Sequence, residues 1–554
     1  MIGNLDIFPG DPDLANSIVQ VEGVECFPLS RASAQDDEEA FATVVWDVAC
    51  PDTRLTAAAE IPIAGEQREL AEQLERMAGF IVRKFIRETP AAHSFMVEGQ
   101  HARILFATDV ISPAQAGHIL LWRPEWENDT NEQLISACQP YAHTVDMQTL
   151  KLIGYSLPDI FKADKEPIKL DNTFTEEFCS DALGMGTSNR HLARTVKQLT
   201  YRHPHLDILG IGAGTNSAAE AIIHEIGPTF SSYTLTDMFP SPVEPTKPWA
   251  APHLHKMFSK TLDVRQNPIA QGFSEQSYDL VVASLILYSS SALRQTLQNA
   301  RRLLKPGGHL IILELFRVQS SVYPLIFGAI PGMWQGADVD RVTWPDMSLS
   351  NWDHLLQGSG FSGCNTSTPT TLEQSCIAPF TVLLSQAVDG KRNFLRYPLK
   401  FERDAFFEPG TLIEELVIIG GASFEVARLI EQIKSLVQNH CGHIRTIRTL
   451  SDLSQLKTSS GTTVLSLTEL ERSIFQYLEH EQWEALKGMV MSASVLLWIT
   501  QGRRARNLFA NIMAGLMLSI IREVSTISYQ MLDFEDANRI DPHSLSEVLM
   551  RLRA

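Results

Sequence analysis

Residues 206–216, LDILGIGAGTN, constrain the fold more than any other stretch of the chain. The apolar run from Leu206 to Ile211 reads as a buried strand. Gly212, Ala213 and Gly214 form the turn after it, and a helix is expected from near Ser217. Strand, glycine turn and helix in that order bring bare backbone to a helix N-terminus, where a ligand can approach closely. A lone GxG is weak evidence, but the units that follow repeat the arrangement. Residues 232–237, SYTLTD, give a second strand that ends on Asp237. It lies roughly 20 residues on, where ribose hydroxyls are held in nucleoside-binding sheets. Residues 277–284 give another buried strand. Residues 303–314, LLKPGGHLIILE, read as a helix end, a tight turn and a strand closing on Glu314. Such units in series predict a parallel α/β sheet that binds a nucleoside.

At 554 residues the chain is too long for one core, so about three domains are expected. The formal net charge of −19 argues against nucleic acid or an anionic membrane surface as partner, because phosphate binding needs basic stripes. No apolar run is long enough to span a bilayer, and no signal peptide is evident. Cys26, Cys50, Cys138, Cys179, Cys364, Cys376 and Cys441 are scattered without a CxxC pair. That pattern fits a reducing cytoplasm better than a disulfide framework or a zinc site. His203 with His205, and His253 with His255, lack a third ligand at a sensible spacing, so no metal is expected.

Patterning divides the chain into five stretches. Strands at 2–8, 17–27 and 41–46 are too few to close a core, so residues 1–50 are expected to finish a domain that starts upstream. Residues 51–200 carry helices near 66–87, 131–141, 146–153 and 189–200, either a lid that shapes a substrate entrance or simple packing support. Residues 201–387 hold the sheet described above. Residues 388–410 are charged, contain Pro398 and Pro409, and read as a linker. Residues 411–554 alternate strands (416–419, 444–447, 463–467, 495–499, 529–533) with helices (424–437, 470–486, 510–522), which predicts a second, Rossmann-like parallel sheet. Its Gly420-Gly421 turn lacks the later glycines, Phe424 is bulky where a pyrophosphate would approach, and no Tyr-x-x-x-Lys pair follows. No NADPH is expected in this chain.

The LLKPGG turn resembles that of class I methyltransferases, which use S-adenosylmethionine. Further words follow in order: YTLTD at 233–237, LDV at 262–264, QGF at 271–273, YD at 278–279, PGMW at 331–334 and GFSG at 360–363. With them, residues 206–363 resemble the C-methyltransferase domain of fungal highly reducing polyketide synthases. QVEG at 20–23 and Trp46 resemble the closing strands of the dehydratase domain of such synthases. LVIIGG, LSLTEL, VLLWITQG and QMLDFED resemble the structural, non-catalytic half of their ketoreductase, a truncated short-chain-dehydrogenase-type fold. The resemblance implies a slice of an iterative synthase: a dehydratase tail, a methyltransferase-fold domain with a helical lid, and a pseudo-ketoreductase. The dehydratase catalytic residues would lie upstream and the catalytic ketoreductase half after Ala554, on the same polypeptide. The implied substrate is a β-ketoacyl thioester on an acyl carrier protein, and the implied reaction is methyl transfer from S-adenosylmethionine to the α-carbon.

That reaction needs the sulfonium in line with the carbon and a base with a pKa near working pH. Histidine suits the task, and a carboxylate behind it can orient the ring and stabilise the imidazolium. In the family the base follows the YD strand and its partner ends the strand after the PGG turn. Here Tyr288 stands at the histidine position and Glu314 at the carboxylate position. A tyrosine titrates near a pKa of about 10 and is a poor base at neutral pH. The cofactor loop also departs from the family. Gly210 replaces an acid at the methionine end, and Asn216 and Ser217 replace glycines, although Asn tolerates left-handed backbone. Gly212, Gly214, Asp237 and Asp263 are retained and complete the expected cofactor set with Gly210. Changes in the functional words, set against matches in the structural ones, lead to the expectation of a degenerate methyltransferase acting as a scaffold. The alternative is an active C-methyltransferase that uses a tyrosinate or another base, with His224 and His309 as candidates beside their plainer structural roles. A third reading is a stand-alone small-molecule methyltransferase fused to an interaction domain.

Overall fold

The computed structural model describes residues 2–7, 19–25, 47–48, 50–58, 65–88, 121–161, 172–212, 216–238, 249–287, 293–316, 318–329, 348–369, 371–400, 412–452, 461–503, 507–523, 527–536 and 540–553. It falls into two compact units, Met1–Pro51 and Asp52–Ala554. In the first, β1 (Ile2–Ile7) pairs antiparallel with β2 (Val19–Glu25), with a register shift between Gly3 and Leu5. The strand expected at 41–46 lies outside the described residues.

In the second unit seven strands form one sheet in the order β5-β4-β3-β6-β7-β9-β8. They are β3 (Asp207–Ile211), β4 (Ser232–Asp237), β5 (Met257–Thr261), β6 (Tyr278–Ser284), β7 (Leu304–Leu315), β8 (Thr366–Ser367) and β9 (Phe380–Gln386). β3 to β7 run parallel, and β9 enters antiparallel between β7 and β8. Alternation along each strand sends its residues to two cores. Leu209, Ile211, Val281 and Ile312 face the helices Leu293–Leu303 and Leu349–Gln357. Ile208, Leu235, Val282 and Leu313 face the helices Met185–Arg202 and Ser217–Ile226.

The second of these cores continues into the helical preface. The helices Gly65–Glu88, Asn131–Cys138 and Val145–Phe161 contribute Leu74, Leu134 and Leu150 to it. One polar knot joins preface to sheet. Glu75, buried in the face of Gly65–Glu88, takes the Ser321 N–H at 2.8 Å and both the Ser320 and Ser321 hydroxyls. These serines open the helix Val322–Ala329, so the carboxylate sits at a helix N-terminus, where negative charge is favoured. Burial pushes its pKa up and the serine hydrogen bonds pull against that. The aromatic residues after β7 are core: Tyr323 meets Phe380 edge-on and Phe327 meets Phe178, all buried. Trp334 and Trp344 lie outside the described residues.

A second sheet has the order β11-β10-β12-β13-β14, parallel throughout. Its strands are β10 (Ile413–Ile419), β11 (Cys441–Ile447), β12 (Thr462–Ser466), β13 (Ala493–Gln501) and β14 (Ser528–Phe534). The helix expected at 470–486 forms instead at His480–Ser492, preceded by 3-10 turns at Thr468–Leu470 and Ile474–Gln476. The capping box of Glu479 and Gln482 fixes its start, and the Glu469 carboxylate takes the Ile474 N–H at 3.0 Å and holds the preceding turn. The stretch read as a linker carries a helix, Gly390–Arg396, capped by Asp389. Arg396 reaches Asn365 and Gln386 of the first sheet region. The Leu395 and Arg396 carbonyls accept from Arg551 on the last helix, Pro542–Arg553.

Candidate functional site

Ligands of open parallel sheets bind outside the carboxyl ends of the strands, where the strand order reverses. Here that point lies between β3 and β6, which pair side by side although β4 and β5 come between them in the chain. The sequence-expected residues gather along this edge. Gly212 follows β3, Asp237 ends β4, Asp263 follows β5 and Glu314 lies near the end of β7. Gly214 and Tyr288 lie outside the described residues.

The turn after β3 needs its glycine. Gly212 has φ 75°, and a Cβ there would stand 2.8 Å from Cβ of Ile286. Its N–H donates to the Thr236 carbonyl at 3.0 Å, which ties the turn to β4. Asn216 then adopts φ 59° at the N-cap of Ser217–Ile226, so the residue that replaces a family glycine holds the left-handed geometry itself. Its side chain makes no capping hydrogen bond. Gly210 is buried within β3. A side chain there would begin 3.2 Å from the Tyr233 ring and 3.4 Å from Leu235, both buried.

Glu314 is 2% exposed. Its Oε1 accepts the Leu287 N–H at 2.8 Å. The strand turns over just before this contact: Leu285 sits at φ 52°, with its N–H on the Leu313 carbonyl at 2.9 Å. The carboxylate therefore fixes the backbone one residue from position 288, and Ile286 of the same segment packs on Gly212. The segment touches both the glycine turn and the acid.

The two histidines considered as substitute bases stand elsewhere. His309 is five residues before Glu314 on β7, roughly 16 Å along the strand. It is half-buried, and desolvation together with His203, Arg396 and Arg392 pushes its pKa down to about 4. His224 lies on the exposed side of Ser217–Ile226, 3.7 Å from Glu220. The acids at the opposite end of the sheet are structural. Lys305 bridges Asp279 at 2.8 Å and Asp207 at 3.2 Å.

Asp263 is engaged locally. Oδ1 accepts the Arg265 backbone N–H at 3.1 Å and Nε at 2.8 Å. Oδ2 accepts Arg265 Nη2 and Gln266 Nε2, each at 3.0 Å. The Arg265 guanidinium holds this carboxyl below its usual range. Neither Arg265 nor Ile286 stands out in the sequence. The available signals were a cation two residues after a strand-end acid, and a β-branched residue beside the base position. Glu75 was legible in principle, as an acid on the buried helical face four residues after Ala71.

The residues fit an adenosyl cofactor only in part. The glycine turn and Asp237 stand where the resemblance puts the ribose edge. Gly210 offers no carboxylate at the methionine end, and the Asp263 oxygens already hold four donors. Among the described residues no cluster of His, Cys, Asp and Glu could hold a metal, and no helix is long and apolar enough to cross a membrane. A separate cleft of about 580 Å³ opens in the helical preface beside Asp146, Leu183 and Arg190.

A family described as "Methyltransferase domain" matches residues 209–310. Over 555 residues the chain is 37% identical to a "Polyketide synthase-nonribosomal peptide synthetase TwmB" of Talaromyces wortmannii, covering 100% of this chain and 18% of that protein. Over 539 residues it is 34% identical to a "Hybrid PKS-NRPS synthetase poxE" of Penicillium oxalicum, covering 96% and 13%. The chain thus spans less than a fifth of the length of these relatives. Among solved structures it is similar to the CurJ carbon methyltransferase (20% identity, TM-score 0.48, 61% of this chain and 100% of that one). It is also similar to the CMeT domain of the citrinin polyketide synthase (15% identity, TM-score 0.45, 61% and 93%).

Proposed function

From the premise that this chain is homologous over its whole length to one segment of the fungal polyketide synthase–nonribosomal peptide synthetases, and carries a methyltransferase domain, we propose that the domain is a degenerate C-methyltransferase kept as a scaffold. One observation carries the reading. Glu314 is buried and aimed at the segment that held the base, and the residue at the base position, 288, is a tyrosine. Removing a proton from the α-carbon of a β-ketoacyl thioester needs a group that is unprotonated near neutrality. A phenol is mostly protonated there. S-adenosylmethionine would supply the methyl group when bound. The partial fit of its site agrees with lost use.

In the same reading the parent substrate is a β-ketoacyl thioester on an acyl carrier protein, presented by domains of the same cytoplasmic polypeptide. The second sheet is the structural half of a ketoreductase, of short-chain-dehydrogenase type, and holds no NADPH. Its βα turn supports this. Glu471 Oε1 accepts the Ser423 N–H at 2.6 Å, which puts a carboxylate where a dinucleotide pyrophosphate would come.

The retained Glu314 contact favours a second reading, an active C-methyltransferase. Incubation with a β-ketoacyl pantetheine and S-adenosylmethionine separates the two by mass. The scaffold reading expects no methylated product from the native chain. It also expects methylated product to become detectable with Tyr288→His, since a general base is usually worth about 10²–10⁴-fold in rate. Efficient methylation by the native chain would overturn it.

A further inference from the structure

We propose that Arg265 competes with the adenosyl ligand for Asp263, and so sets how weakly this chain binds that ligand. The inference rests on the reading that the carboxyl ends of β3, β4 and β5 form the cofactor edge. A carboxylate offers about four acceptor sites, and four donors fill those of Asp263, three of them from Arg265. Any ligand hydroxyl or amino group must displace one of them. Arginine–carboxylate pairs with two parallel N–H bonds are among the strongest side-chain contacts, so displacement is unfavourable. The Arg265 and Asp263 side chains are only 33% and 19% exposed, which limits solvent screening of the pair.

The guanidinium is not needed to hold the turn. The Asp263 backbone N–H donates to Gln271 Oε1 at 2.8 Å, and Gln271 Nε2 returns a bond to the Asp263 carbonyl at 2.9 Å. Asn299 Nδ2 donates to the Val264 and Gln266 carbonyls, each at 2.9 Å. These bonds stay when the Arg265 side chain is changed. What the guanidinium adds is occupancy of the carboxylate.

Calorimetric titration of the full chain with S-adenosylhomocysteine tests this. Arg265→Gln is expected to bind about tenfold tighter than the native chain, the scale of one charge-assisted hydrogen bond. Arg265→Lys, which keeps charge without the fork, should fall between them and guards against a misfolded glutamine variant. Adding Asp263→Ala to Arg265→Gln should cancel the gain. Unchanged or weaker binding by Arg265→Gln, while Asp237→Ala still lowers affinity, overturns the competition and leaves the site reading standing. Absence of binding in every variant overturns both.

Discussion

After β3 and after β10 the chain makes the same move. An apolar strand with parallel neighbours on both sides runs into glycine with positive φ and then into a helix. Gly212 has φ 75°; Gly420 and Gly421 have φ 136° and 97°. The two turns part at the helix N-terminus. Asn216 contributes only left-handed geometry to the first and no side-chain cap. In the second, Ser423 Oγ accepts the Val426 N–H at 3.3 Å, and Glu471, far along the chain, closes on the Ser423 N–H. A carboxylate satisfies the helix dipole and repels a phosphate. A glycine turn therefore marks where backbone is bare. Residues from elsewhere decide whether a ligand or the protein itself covers it.

The sharpest way to break this comparison is to fill both turns with a methyl group. Gly212→Ala meets the Cβ of Ile286, a branch point that cannot swing aside, in left-handed backbone. The expected loss is about 2–4 kcal/mol, combining left-handed strain with overpacking. At Gly421 the new Cβ would stand 3.1 Å from Cδ1 of Ile430, the far end of a flexible chain, so strain dominates and the loss is about 1–2 kcal/mol. Hydrogen exchange on peptides from each sheet reads the two separately. Equal losses would mean that Ile286 does not brace the first turn.

Acid should also separate the sheets. His309, half-buried on β7 of the first sheet, is desolvated enough to resist protonation, whereas His443, His480 and His543 around the second are exposed. A histidine whose folded pKa is depressed binds its proton more readily when unfolded. Stability is then full above the unfolded value near 6.5 and falls as pH drops toward about 4. The span corresponds to about 3 kcal/mol. Asp146, raised to about 6 by burial, and Glu75, also raised, respond in the opposite sense and gain on acidification. The His309 contribution is therefore the difference between native chain and His309→Gln across that window, expected in exchange from β7 and absent from β13.

How far the sequence led follows from the range of the interactions involved. β6 was expected at 277–284 and spans Tyr278–Ser284, within one residue, because its signal is a local apolar run. The helix Phe424–Val437 was equally plain from its apolar spacing. Glu314 was picked out by resemblance and stands at the strand end where the resemblance put it. The helix at 470–486 was misplaced because apolar spacing ignored a capping box ten residues in. Arg265 on Asp263, Ile286 on Gly212 and Glu75 on Ser321 escaped notice for another reason. Each is set by side-chain geometry in a turn or by a contact between distant segments, and hydrophobic periodicity carries neither.

The smallest expected effects test the caps themselves. Glu471→Gln keeps a hydrogen-bond acceptor at the Ser423 N–H but removes the charge beside the helix N-terminus. It should cost about 0.5–1 kcal/mol, the scale of one partly exposed charge–dipole contact. Added salt should shrink the difference, because the contact is electrostatic. Asn216→Gly should change the first turn by only a few tenths of a kcal/mol, since Asn216 already adopts the geometry glycine favours and contributes no capping bond to lose. Paired denaturant melts with exchange read from Phe424–Val437 and Ser217–Ile226 measure both. If Asn216→Gly costs as much as Glu471→Gln, the first turn is closed from within as firmly as the second, and the contrast between an open and a plugged glycine turn fails.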